Sequence, residues 1–132
     1  MKLRRKSRGF TLIEMIVVLS IMAILLAFAV PKYTQSILMA REAALKQDLY
    51  TLRQAIDEYT LDNQRAPQSL DDLVAAGYLR AVPKDPITDS AQTWQVVQED
   101  VLLSVDQTQP GISDVHSGAP GSSTEGTAYS SW

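Results

Sequence analysis

A single carboxylate inside a long apolar segment is the group in this sequence with the clearest chemical role. Glu14 is the only formally charged residue between Phe10 and Val30. A charged side chain within lipid costs about 2.5–3.5 kcal/mol on insertion scales, so this carboxylate requires a partner. Cleavage of the chain after Gly9 would create a cation nearby, because it would free the amino group of Phe10. The pattern therefore predicts that Glu14 pairs with a terminal amine.

The residue types that usually carry catalysis form no constellation in this sequence. It contains no cysteine and a single histidine, His116, and no local pattern pairs that histidine with a nucleophile. Asp71 and Asp72 could be taken for a catalytic pair, but carboxylates in the first turn of a helix more often complement the helix dipole. The sequence contains no phosphate-binding loop, dinucleotide fingerprint or histidine metal cluster. We therefore predict that the protein is not an enzyme.

The element that must position Glu14 is an apolar helix. Residues 10–30 span about 30 Å as a helix, enough to cross the hydrocarbon core of a membrane. Five of the 12 basic residues precede Gly9, so the positive-inside rule places the start of the chain in the cytoplasm. A secretory signal peptide has a shorter apolar run and a small-residue cleavage site, and a plain signal anchor leaves Glu14 unexplained. The acidic remainder argues against nucleic-acid binding.

This segment also resembles a known family. The run KSRGFTLIEMIVVLSIMAILLAFAVP is similar to the leader and N-terminal helix of type IV pilins and type II secretion pseudopilins. The resemblance implies cleavage between Gly9 and Phe10 by a prepilin peptidase, which also N-methylates Phe10. It further implies that Glu14 pairs with the terminal amine of a neighbouring subunit during filament assembly.

The helix continues as an amphipathic element. Apolar residues recur at helical spacing from Leu38 to Tyr59, while charged residues, Glu42 among them, lie largely on other faces. We predict one helix from about Phe10 to Leu61, kinked or locally melted near Pro31. The apolar stripe would cover a small C-terminal sheet, whereas the first half of the helix has no partner inside the chain and requires lipid or other subunits.

Short elements are predicted after this helix. Ser69 begins a short capped helix that Gly77 closes. The segments Thr93–Gln98 and Val101–Val105 predict a β-hairpin, and one more short strand is predicted near Ile112–Val115. The predicted fold class is α+β. It has a long N-terminal helix, transmembrane in its first half and amphipathic in its second, packed on a small antiparallel sheet with a loop-rich tail.

The order of the later pieces narrows the resemblance. LDNQRAP, then SLDDLVAAGYL, then VPKDP before a strand, is similar to the G-type major pseudopilins of type II secretion. That group binds calcium in its terminal loop through aspartates set in a Gly-rich run. Here the run holds no aspartate, and the nearest carboxylates, Asp114 and Glu125, are the candidate ligands. Two scattered carboxylates in a loop are more often solvated than ligating, and calcium prefers six to eight oxygens.

The resemblance implies a structural function. The chain would be the major subunit of a type II secretion pseudopilus, polymerising through its N-terminal helix to drive protein export; the alternative is a type IV pilus subunit for adhesion, motility or DNA uptake. The implied partners are other copies of the chain in a helical filament, the prepilin peptidase, the inner-membrane assembly platform and minor pseudopilins. Membrane lipid is the partner before assembly, and no nucleic acid is expected.

The same interpretation predicts three regions. Residues 1–9 are a basic leader that is cleaved, and residues 10–31 are the transmembrane and assembly helix. Residues 32–132 form a periplasmic domain of amphipathic helix and small sheet. The protein would span the inner membrane once, with its N-terminus cytoplasmic, before joining a periplasmic filament.

Overall fold

The described part of the chain contains two α-helices, two strands and one 3-10 turn. A computed structural model of the protein describes residues 9–99, 105 and 109–132 and divides the chain into two units, Met1–Ile37 and Leu38–Trp132. The elements in order are α1 (Leu12–Asn63), α2 (Leu70–Ala75), β1 (Trp94–Gln98), β2 (Ile112–Ser117) and a 3-10 turn at Tyr129–Ser131. The predicted α+β class is confirmed.

The first unit contributes the apolar part of α1. Every residue from Gly9 to Ile37 is exposed. The most apolar window of α1 has a mean hydropathy of 2.8 and none of it is buried, so this helix is long and apolar enough to cross a membrane. That this half of the helix requires lipid or other subunits stays a prediction.

Pro31 lies inside α1. Proline removes one backbone donor from a helix and often bends or breaks it. Here the residues on both sides of Pro31 stay helical, so of the two predicted alternatives local melting is wrong, and a kink stays a prediction. The hydroxyl of Thr34 donates to the Pro31 carbonyl at 2.9 Å, so this side chain forms a hydrogen bond within the same helix.

The core of the second unit follows one stripe of α1. The fully or nearly fully buried residues of that stripe are Leu45, Leu49, Leu52, Ala55, Ile56 and Tyr59. They form one cluster with Trp94 of β1 and with Ile112 and Val115 of β2. The predicted stripe is therefore confirmed from Leu45 to Tyr59. Leu38 is 36% exposed, so its predicted place in the stripe is wrong.

Helix α2 begins and ends as predicted. The Ser69 hydroxyl accepts a hydrogen bond from the amide of Asp72 at 3.3 Å, and the Asp72 carboxylate accepts one from the amide of Ser69 at 3.0 Å. This reciprocal pair satisfies amides that the first turn of a helix leaves without partners. Gly77 follows the helix with a φ of +87°, a conformation that favours glycine, so it closes the helix.

A buried carboxylate organises the loop between α2 and β1. Asp85 is fully buried and accepts hydrogen bonds from the amide of Ile87 at 2.8 Å and from the hydroxyl of Ser117 in β2. Two residues earlier, the Pro83 carbonyl accepts a hydrogen bond from the Trp94 indole at 2.8 Å. The loop is thus tied to both strands by side chains as well as restricted by its prolines.

Strands β1 and β2 form an antiparallel pair. Trp94 lies opposite Ser117, and Val96 lies opposite Val115. The register of the two strands shifts between Val97 and Gln98. The strand predicted near Ile112–Val115 is confirmed and extends to Ser117. The predicted hairpin partner, Val101–Val105, lies outside the described residues except for Val105, which is in a turn.

Candidate functional site

The start of α1 holds the residues predicted to act in processing and assembly. Gly9 and Phe10 precede the helix and are exposed, and Phe10 is 82% exposed. Glu14 lies in the first turn of α1 and is also exposed. An acidic side chain in the first turn lies near the positive end of the helix dipole, which is a favourable position for it. The three residues therefore lie at one exposed helix end.

Glu14 also caps its own helix. The Thr11 hydroxyl accepts a hydrogen bond from the Glu14 amide at 3.3 Å, and the Glu14 carboxylate accepts one from the Thr11 amide at 3.4 Å. This is the same reciprocal arrangement that Ser69 and Asp72 make at α2. Both distances are longer than the usual 2.9–3.0 Å for N–H to oxygen bonds. A nearby amine at ordinary ion-pair distance would therefore bind the carboxylate more strongly than the Thr11 amide does.

The other notable polar contacts join α1 to residues 118–132, which we call the tail loop. Glu42 is only 5% exposed although it is charged. Its carboxylate accepts hydrogen bonds from the amide and the hydroxyl of Thr124, at 2.8 and 2.6 Å, and from the hydroxyl of Tyr129 at 2.8 Å. The prediction that Glu42 lies on a face away from the stripe is wrong, because it lies three residues before Leu45 on the same side of the helix.

These contacts shift the acidity of both partners. Burial by itself raises the pKa of Glu42. The hydrogen bonds from Thr124 and Tyr129 and the charge of Lys46 lower it by more than burial raises it, so the net pKa lies below the ordinary value. Burial and the hydrogen bond to Glu42 raise the pKa of Tyr129 to about 12. The carboxylate is therefore ionised and the phenol protonated at neutral pH, which is the combination that the hydrogen bond requires.

Arg53 makes a second junction between α1 and the later segments. Its guanidinium donates to the Asp114 carboxylate at 2.7 Å and to the Val115 carbonyl at 2.9 Å, and it also donates to the Trp132 carbonyl. The ring of His116 lies 2.8 Å from the same Trp132 carbonyl and 3.5 Å from Asp114. Burial raises the pKa of Asp114, but the hydrogen bonds from Arg53 and from the Val115 amide, together with the charge of Arg53, outweigh the effect of burial, so the net pKa is lowered.

Lys46 lies against the tail loop beside this junction. Its ammonium group is 3.3 Å from the Glu125 carboxylate and 4.5 Å from the ring centroid of Trp132. Both side chains of the ion pair are more than half exposed, and exposed ion pairs contribute little to stability. The Trp132 ring also packs edge-on against Tyr129, with centroids 5.4 Å apart.

The two candidate calcium ligands do not fit a calcium ion. Asp114 is paired with Arg53, and Glu125 is paired with Lys46. Calcium takes six to eight oxygen ligands and is repelled by a cation already paired with its ligand. Among the residues that the structure describes, no group of three or more histidine, aspartate or glutamate side chains could hold a metal ion. Calcium binding stays a prediction, and these contacts do not support it.

Comparisons with known proteins agree with the motif at the start of the chain. Residues 4–30 match the prokaryotic N-terminal methylation motif. The type II secretion system core protein G of Klebsiella michiganensis is 33% identical over 130 residues, covering 84% of this chain and 92% of that protein. This chain belongs to the type II secretion core protein G family. The core proteins G of Vibrio cholerae and Escherichia coli K12 are 37% and 33% identical, each over 65% of this chain and over 69% and 70% of their own length. No solved structure matches it.

Membership in the core protein G family confirms the predicted resemblance. The methylation motif covers Gly9, Phe10 and Glu14, but the roles of these three residues individually stay predictions. The sequence reasoning missed Glu42, Arg53 and Lys46 as anchors of the tail loop. For Glu42 a signal existed, because its spacing from Leu45 continues the pattern of the buried stripe.

Proposed function

We propose that this chain is the major subunit of a type II secretion pseudopilus and that its role is structural rather than catalytic. It polymerises through its N-terminal helix, and the growing filament drives protein export. The observation that carries the proposal is the exposed apolar half of α1 with Glu14 in its first turn. Similarity to proteins named for type II secretion favours this filament over the type IV pilus.

The proposed path of the subunit begins in the inner membrane. The basic residues before Gly9 hold the N-terminus in the cytoplasm, and residues 32–132 lie in the periplasm. A prepilin peptidase cleaves between Gly9 and Phe10 and methylates the new amine. The exposure of both residues supports this step, because a peptidase must reach an extended backbone to cut it. The assembly platform and minor pseudopilins then act on the processed subunit.

Assembly follows from the state of Glu14 in lipid. Among the described residues of a single subunit, the Thr11 amide at 3.4 Å is the donor to this carboxylate, and a carboxylate can accept several further hydrogen bonds. In the filament the terminal amine of a neighbouring Phe10 approaches it and neutralises its charge. Assembly into the filament therefore relieves the desolvation cost that the membrane imposes on Glu14. If the helices of neighbouring subunits were shifted along each other, this ion pair would be lost, so the pair also favours one axial offset between subunits. Apolar residues along the rest of the helix find partners in neighbouring helices.

Two substitutions separate the ion pair from the helix cap. Glu14→Gln removes the charge but keeps an oxygen that accepts from the Thr11 amide. Thr11→Ala removes the hydroxyl cap but keeps the charge. Each full-length variant is expressed in cells that supply the peptidase and the assembly platform, sheared filaments are quantified, and the subunits are weighed by mass spectrometry.

We expect Glu14→Gln to be processed normally, with a chain that starts at Phe10 and carries one added methyl group, and to form few filaments. Thr11→Ala should assemble close to the wild-type level, because a lost cap costs only about 1 kcal/mol. Normal filament yield from Glu14→Gln would refute the assembly role. A wild-type chain that starts at Met1 would refute the processing step.

A further inference from the structure

Glu42 is a charge placed where the core stripe of α1 would otherwise hold an apolar residue. It is nearly fully buried, and a buried carboxylate is strongly unfavourable unless it is hydrogen-bonded. The tail loop supplies three donors, the amide and hydroxyl of Thr124 and the hydroxyl of Tyr129, all within 2.8 Å. These bonds join residues 82 and 87 positions apart in the sequence, so they tie the loop to the helix directly.

The loop is shaped to bring these donors together. The amide of Ser123 donates to the Thr127 carbonyl at 2.7 Å, and their hydroxyls lie 2.9 Å apart. Gly121 and Gly126 have φ values of +91° and +85°, so the turns on either side of Thr124 use conformations that favour glycine. The loop thus closes on itself and presents Thr124 to the helix. Glu42 accepts hydrogen bonds from all three donors that the loop presents in this way.

Two acidic residues beside this loop, Asp114 and Glu125, are paired with basic side chains. Lys46 is paired with Glu125 and Arg53 with Asp114, so each carboxylate has a fixed cation beside it. Lys46 lies one helical turn from Glu42 and also lowers its pKa. A divalent cation at this place would have to displace these basic side chains, whereas the observed contacts already satisfy Glu42, Asp114 and Glu125.

We propose that the Glu42 carboxylate is the anchor of the tail loop and that the loop reaches its folded conformation through this carboxylate without a bound divalent cation. The anchor does not depend on the proposed secretion function, since it concerns how the second unit is held together. In this proposal the Glu42 side chain stabilises the folded loop in the way that a bound metal ion stabilises loops in other proteins.

The test combines metal removal with two matched substitutions in the full-length chain in detergent micelles. Thermal unfolding is measured for wild type, Glu42→Gln and Glu125→Gln, each with calcium chloride and with the chelator EDTA. Amide hydrogen exchange of residues 121–129 is followed under the same conditions. Glu125→Gln is the control, because it makes the same chemical change in the loop at an exposed site and also removes a candidate calcium ligand.

We expect EDTA and calcium to leave the Tm and the exchange of wild type unchanged. Glu42→Gln should lower the Tm by at least about 4 °C and speed exchange at Thr124 more than in β1, because the buried acceptor has lost its charge. Glu125→Gln should lie within about 2 °C of wild type. If Glu42→Gln does not fold, Tyr129→Phe removes a single donor and should give a smaller change in the same direction.

Two results would overturn the proposal. The first is a wild-type Tm that falls, or tail-loop exchange that accelerates, when EDTA is added and recovers with calcium. The second is exchange at Thr124 in Glu42→Gln, and in Tyr129→Phe, that matches the Glu125→Gln control. In the first case a cation holds the loop; in the second the carboxylate does not.

Discussion

Removing the Asp85 carboxylate tests whether the loop before β1 is held from inside. This side chain is fully buried and accepts from the Ile87 amide at 2.8 Å, from the Ser117 hydroxyl and, more weakly, from the Thr88 amide at 3.4 Å. In Asp85→Ala these donors keep their surroundings but lose their acceptor. Alanine is too short to replace any of the contacts, and the space left is too enclosed for bulk water to take over freely.

The expected loss of stability in Asp85→Ala follows from its two close contacts, those with the Ile87 amide and the Ser117 hydroxyl. A buried donor left without an acceptor costs about 1–3 kcal/mol, so the Ile87 amide and the Ser117 hydroxyl together account for about 2–6 kcal/mol of unfolding free energy. A domain of this size loses about 4–8 °C of Tm for each kcal/mol, so even the lower figure lowers the Tm by about 8 °C. Asp85→Asn should lose less, because its amide oxygen can still accept from the Ile87 amide.

The assay is thermal unfolding of the full-length chain in detergent, followed by tryptophan fluorescence. The Trp94 indole donates to the Pro83 carbonyl in the same loop, so its emission reports this region. A Trp132→Phe background leaves Trp94 as the only tryptophan, since the sequence contains two. Asp57→Ala is the matched control, because Asp57 is exposed on α1.

One result would refute this reasoning. If Asp85→Ala and Asp57→Ala unfold within about 2 °C of each other, the donors around Asp85 find other acceptors and the carboxylate does not hold the loop. If the two differ as expected but Asp85→Asn unfolds like Asp85→Ala, the charge of the carboxylate matters more than its geometry as an acceptor.

Two further predictions concern the pH dependence of stability and the effect of adding a side chain at a closely packed glycine. Glu42 binds a proton more readily when unfolded than when folded, because its folded pKa is lowered from 4.5. Its contribution to stability is therefore complete above pH 4.5 and is lost as the pH falls through the folded pKa, and the wild-type minus Glu42→Gln difference in unfolding free energy should shrink over that range. If this free-energy difference instead grew as the pH fell, the lowered pKa of Glu42 would be contradicted. Gly118→Ala places a Cβ atom 2.0 Å from the Thr93 carbonyl oxygen, so we expect thermal unfolding to show about 1–3 kcal/mol of destabilisation. Gly126→Ala, which meets open space but has a φ of +85°, is the control and should cost less.

Local patterns predicted the helices well. The apolar run and the spacing of Leu45 to Tyr59 gave α1 within two residues at each end, because helical periodicity is set by neighbours three and four positions away. The Ser69 cap was predicted for the same reason. The equivalent cap of Thr11 and Glu14 was not predicted, although its residues have the same spacing as Ser69 and Asp72.

Contacts between distant segments could not be predicted in the same way. Arg53 meets Asp114 and the Val115 carbonyl across 61 and 62 positions of sequence, and no local pattern specifies such a pairing. The pairing of β1 with β2 likewise joins distant positions, with Val115 fully buried opposite Val96. The sequence predicted both strands but not that they pair, because β-forming residues do not specify a partner strand. The predicted hairpin segment Val101–Val105 lies outside the described residues except for Val105.

The contacts of the tail loop also bear on when the protein finishes folding. Glu42 and Lys46 bind partners between 79 and 87 positions later, so their contacts form only after nearly all of the chain is available. Contacts of such long range slow folding, because the intervening chain must lose its freedom before they stabilise anything. The apolar segment at the start of α1, in contrast, is complete early in synthesis. Docking of the tail loop therefore requires a part of the chain that is synthesised long after the apolar segment, which makes it a late contact in the folding of the second unit.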